Sequence, residues 1–88
     1  MNLTMTELEK CFDIAYDRAY PYVGVLIRME GFEEPELIIN PFENIKTKLA
    51  YYKKAYNDNL TLKTFNGIKI IGCAYGDSPD EIESIIYL

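Results

Sequence analysis

The stretch Tyr22-Val23-Gly24-Val25-Leu26-Ile27-Arg28-Met29 decides the fold. Its apolar residues recur with a period of two, the repeat of a β-strand, and β-branched residues dominate one set. Val23, Val25, Ile27 and Met29 share one face; Tyr22, Gly24, Leu26 and Arg28 share the other. A loop, Glu30-Gly31-Phe32-Glu33-Glu34-Pro35, follows, and then a short apolar run, Leu37-Ile38-Ile39. Residues 22–39 therefore read as a β-hairpin.

Helix-start signals flank this hairpin. Upstream, Thr4-Met5-Thr6-Glu7 has the form of a capping box, with Leu3 and Leu8 placed as a hydrophobic staple. Leu8, Cys11, Phe12, Ala15 and Ala19 then recur at spacings of three and four, which makes one apolar helix face. Tyr20 precedes Pro21 and resists the helical region, so the helix is expected to end near Ala19. Downstream, Asn40-Pro41-Phe42-Glu43 reads as cap, Pro at the first helical position, and acid. Phe42, Ile45, Leu49, Tyr52 and Tyr56 extend that helix to about Tyr56.

Farther along, Asn66-Gly67 is a strong signal for a two-residue type I′ turn. It would join residues 60–65 to residues 68–75 in a second hairpin. In that register Leu60, Leu62, Ile71 and Cys73 share one face, and Phe65, Ile68 and Ile70 the other. Ser78-Pro79-Asp80-Glu81 starts a third helix, with Ile82, Ile85 and Ile86 inward. The expected order is helix, hairpin, helix, hairpin, helix. The expected fold is α+β: a two-layer sandwich with one four-stranded antiparallel sheet and the helices on one side.

The chain has 88 residues, of which 49% are hydrophobic and 26% charged, so residues 1–88 read as a single globular domain. A domain of this size buries only about 60% of its unfolded surface, so a partner subunit would add to its stability. No apolar run approaches the ~20 residues of a membrane span. Residues 1–10 carry Glu7 and Glu9 and lack an apolar core, so no secretory signal is expected and the reading is cytoplasmic.

There is no histidine. That removes the usual general base at neutral pH and with it the Ser-His-Asp and Cys-His nucleophiles. Cys11 and Cys73 lack C-x-x-C spacing and any histidine with which to hold zinc, so they read as two buried thiols. Burial at an inward strand position would raise the thiol pKa of Cys73 and make it inert. No nucleotide-binding glycine motif is present. At residues 72–78, Asp77, Asp80 and Glu81 would repel a phosphate and read better as dipole partners of the third helix. Glu30, Glu33, Glu34 and Glu36 do not follow Ca²⁺-loop spacing and read as a solvated loop. No cofactor and no metal are expected.

Charge is uneven. Residues 1–45 hold nine acids and three bases, residues 46–69 six lysines and one acid, and residues 70–88 four acids and no base. The net charge of −5 thus conceals a basic middle. Lys46, Lys48, Tyr51, Lys53 and Lys54 form a candidate basic and aromatic helix face, of a type that can contact phosphates and stack on bases. The acidic whole argues against nucleic acid, and a solvated lysine face is favoured. The second candidate surface is the outer sheet face, Tyr22, Leu26, Phe65, Ile68 and Ile70. An apolar face there requires cover, by the third helix or by another chain.

The function read from these features is a small, non-catalytic protein-interaction domain that self-associates as a homodimer. One alternative is an acidic inhibitor or mimic that occupies the basic site of a nucleic-acid-binding protein. The other is a weak nucleic-acid binder acting through the lysine- and tyrosine-bearing helix.

Overall fold

The computed structural model describes residues 3–87. The elements run α1 (Met5–Asp17), β1 (Tyr22–Met29), β2 (Glu36–Pro41), a 3-10 turn (Phe42–Asn44), α2 (Ile45–Ala55), β3 (Thr61–Leu62), β4 (Phe65–Gly76) and α3 (Pro79–Ile86). The fold is α+β, with three helices and one open antiparallel sheet in the order β2-β1-β4-β3.

β1 lies inside the sheet, between β2 and β4. Its odd-numbered residues Val23, Val25 and Ile27 are buried against α1 and α2, in one core with Leu8, Phe12, Ala15, Ile45, Tyr52, Tyr56, Leu60 and Ile70. Its even-numbered Gly24 and Leu26 are buried too. They face α3, which packs on β1 and β4 from the opposite side. The helices therefore do not all lie on one side: the arrangement is α1 and α2, then the sheet, then α3, and not the expected two-layer sandwich.

The cause lies in small side chains brought together by the register. Gly24 pairs with Ala74, Leu26 with Gly72 and Tyr22 with Gly76. This shallow saddle admits a helix at close range: a Cβ on Gly24 would sit 2.5 Å from Ile82 Cγ2, and one on Gly72 3.4 Å from Ile86 Cγ1. α3 starts at the end of β4, with the Ser78 hydroxyl accepting the Glu81 N–H at 3.1 Å.

The capping box of α1 forms as its sequence implies, with the Thr4 hydroxyl accepting from the Glu7 N–H and the Glu7 carboxylate accepting from the Thr4 N–H. The helix ends at Asp17, short of Ala19. The Tyr20 N–H donates to the Ala15 carbonyl at 2.9 Å and the Ala19 N–H to Tyr16 at 3.1 Å. This is the Schellman pattern, and it places Ala19 at φ 56°.

α2 starts later than Asn40-Pro41 suggests. Asn40 pairs with Val23 and Pro41 with Tyr22, so both complete β2. The Phe42 N–H donates to Pro21 O at 2.8 Å, and the 3-10 turn precedes Ile45. Sheet pairing with β1 outcompeted the local cap.

The second hairpin also differs. It turns at Lys63-Thr64, with Leu62 opposite Phe65, and Asn66-Gly67 lies inside β4. Neither residue has a positive φ, which a type I′ turn needs at both positions. Gly67 instead admits two neighbouring side chains: a Cβ there would fall 2.5 Å from the Phe65 ring and from a Glu30 carboxylate oxygen, both of which are exposed. A bulge at Ile71, between the pairs Leu26–Gly72 and Ile27–Ile70, then shifts the alternation of β4. Cys73 and Ile70 consequently face the same core.

Candidate functional site

The five residues expected to form one outer apolar face are not brought together. Ile70 is fully buried in the core shared with α1 and α2, and Ile68 packs against it opposite Met29. Tyr22 and Leu26 lie on the face that α3 covers, with Leu26 7% exposed. Phe65 stands apart at the hairpin end, 47% exposed, its ring folded over Gly67.

The lysines and tyrosine of the second candidate all lie on α2, but two of the lysines are engaged by α1. Lys46 Nζ sits 4.4 Å from the centre of the Tyr16 ring. Lys53 pairs with Glu9, and that contact raises the pKa of its ammonium. Both pairs are solvent-exposed and contribute little stability; the packing of α2 on α1 rests on the buried Leu8, Phe12, Ile45 and Tyr52. Lys54 is exposed.

Lys48 and Tyr51 belong to a different feature. Lys48 Nζ lies 5.4 Å from the Tyr51 ring centre and 5.5 Å from that of Tyr52. Together with Ile27, Ile38, Thr47 and Tyr56 they line a groove of about 410 Å³ between α2 and the β1–β2 side of the sheet. The groove exists because α2 leans on α1 and meets β2 only lightly. β2 is an edge strand, so its outer backbone groups have no strand partner among the described residues. Apolar side chains from β1 and β2 form the floor, three tyrosines form the wall, and one ammonium stands at the rim. Tyr51 is 52% exposed.

The wall is continuous with the core. The Tyr52 ring meets Phe12 edge-on at 5.9 Å and Tyr56 at 5.7 Å. Its hydroxyl is buried without a hydrogen-bond partner among the described residues, as is Asn40 Nδ2. Burial pushes the Tyr52 phenol up to about 12, and the nearby Asn40 side chain opposes that shift without being aligned for a hydrogen bond. Burial also raises the phenol pKa of Tyr56. Neutral tyrosines of this kind bind through ring surface and hydroxyl hydrogen bonds rather than as bases.

Of the groove residues, Lys48 and Tyr51 were legible in the sequence as surface candidates, while Ile27, Ile38, Tyr52 and Tyr56 read simply as core. Ile27, Tyr52 and Tyr56 are indeed buried, and that they also line a groove depends on how α2 lies over the sheet, which no local pattern records. The acidic loop is exposed at Glu30, Glu33, Glu34 and Glu36. Among the described residues, no group of three or more Cys, Asp or Glu side chains is placed to hold a metal ion. No helix among them is long and apolar enough to cross a membrane. In comparisons with known proteins, no family model, no curated protein and no solved structure matches the chain.

Proposed function

We propose that the chain is a non-catalytic protein-interaction domain whose partner is a second copy of itself, joined along β2 and the adjoining groove. The observation that carries this reading is the groove: an apolar floor and a tyrosine wall, buried at Tyr52 and Tyr56 and exposed at Tyr51, lie beside the edge strand β2. Tyrosine is enriched at interface centres, where its ring gives contact area and its hydroxyl a hydrogen bond. An open edge strand accepts a further strand through its backbone.

Charge supports a second copy as occupant. Antiparallel pairing of two β2 strands brings the start of one strand to the end of the other. The start is Glu36, just after Glu33 and Glu34; the end leads through a turn bearing Glu43 into α2, where Lys46 and Lys48 outnumber it. The absence of histidine from the chain supports a binding role over a catalytic one.

Sedimentation velocity at micromolar concentration tests the proposal. A species of twice the 10.2 kDa chain mass is expected. It should weaken with added salt, which screens the charge pairs, and should be lost in Tyr51→Glu. A 10.2 kDa monomer at every concentration overturns the reading.

A further inference from the structure

Cys11 lies on α1 and Cys73 on β4, 62 positions apart in sequence, yet their sulfurs are 2.7 Å apart. Both residues are half-buried and both are free thiols. Two regular elements hold them. Cys11 is one turn from Leu8 and Ala15 on the packed side of α1, and Cys73 pairs with Val25 in the sheet interior. The bulge at Ile71 keeps Cys73 on the α1 side together with Ile70. The sulfurs are within about 1 Å of the length of an S–S bond.

We infer that Cys11 and Cys73 form a modification site: a thiol pair that a peroxide oxidises to an intramolecular disulfide, clamping α1 to β4. The inference does not depend on the self-association proposed above. Cys11 is the attacking sulfur, because burial disfavours the thiolate of Cys73. Burial, and then the contact with Cys11, push the Cys73 thiol up, so Cys73 reacts second, its low acidity offset by the fold holding it against the Cys11 sulfur.

In the first step Cys11 Sγ attacks one oxygen of hydrogen peroxide. An S–O bond forms, the O–O bond breaks, and the leaving hydroxide takes up the thiol proton as water. In the second step Cys73 Sγ attacks the Cys11 sulfenic sulfur. The S–S bond forms, the S–O bond breaks, and a second water leaves with the Cys73 proton. Two thiols lose two electrons and two protons in all, and one peroxide becomes two waters.

The test treats the reduced full-length chain with stoichiometric hydrogen peroxide. Intact mass should fall by about 2 Da, with both thiols lost together and no covalent dimer formed. A digest should yield one linked peptide pair containing Cys11 and Cys73, and dithiothreitol should reverse the change. Because the bond closes a long loop, the melting temperature should rise by about 10 °C on oxidation. In Cys73→Ala, which keeps a small apolar side chain in the strand, a dimedone label should appear on Cys11 and not on the oxidised wild type. Two thiols still titratable in the folded wild type, over-oxidation without a linked peptide, or an intermolecular disulfide would each overturn the inference. The wild-type mass result decides the matter even where the variant folds poorly.

Discussion

Single residues carry two strains that substitution exposes. Ala19 occupies the left-handed position of the α1 C-cap at φ 56°, where a Cβ costs about 1–2 kcal/mol. Ala19→Gly relieves that cost and loses part of the gain to backbone entropy in the unfolded chain. A net stabilisation of about 0.5–1 kcal/mol is expected, read as a higher urea midpoint at unchanged slope. Tyr52 keeps an unpartnered hydroxyl in the core. Tyr52→Phe should leave stability unchanged or raise it by up to about 1 kcal/mol, since no hydrogen bond is lost. The same residue sets an alkaline dependence. Its phenol titrates near 10.0 in the unfolded chain and near 12 when folded, so the unfolded state loses its proton first. Stability is complete below pH 10.0 and falls as pH rises towards 12. Urea midpoints measured across that window should fall less steeply in Tyr52→Phe than in wild type, with Tyr56 contributing the remainder in the same direction.

At the scale of elements, α3 and the strands beneath it depend on each other. Gly24→Ala would drive a methyl to 2.5 Å from Ile82 Cγ2 and must lift the helix, at a cost of about 1–3 kcal/mol. Ile82→Ala empties a fully buried site and should cost about 2–5 kcal/mol. The two share one contact, so the double variant should be less destabilised than the sum of the singles, as a double-mutant cycle in urea would read. Equal sums would show that α3 does not rest on Gly24. This element contact was partly visible in the sequence. Gly24, Gly72, Ala74 and Gly76 are small residues in strands, and a strand tends to carry them where another backbone comes close. What the sequence did not show is that antiparallel pairing would align them into one saddle. The reading of Asn66-Gly67 failed for a related reason: a glycine that serves a turn and a glycine that admits a neighbouring ring look alike in one dimension.

Across the whole molecule, β1 is the structural centre, flanked by strands and covered on both faces from Val23 to Ile27. Native-state hydrogen exchange should therefore find its amides the slowest to exchange, with outward-facing amides of β2 and those of the two-residue β3 much faster. Protection spread evenly over all four strands would contradict this arrangement. The charge segregation also acquires a geometry. Part of the basic middle lies against acidic or aromatic side chains of α1, through Lys53–Glu9 and Lys46–Tyr16, which leaves Lys48 at the groove and Lys54 exposed. By itself the sequence determined the α+β class, the limits of β1, the N-terminal caps of α1 and α3, and which β1 residues enter the main core. All of these follow from local periodicity and short-range hydrogen bonds. Only the tertiary structure decided the side on which α3 lies, the late start of α2, the inward turn of Ile70, the meeting of Cys11 with Cys73 and the groove beside β2. Each depends on strand register, on a one-residue bulge or on the tilt of a helix, and these are settled by contacts between residues far apart in the chain.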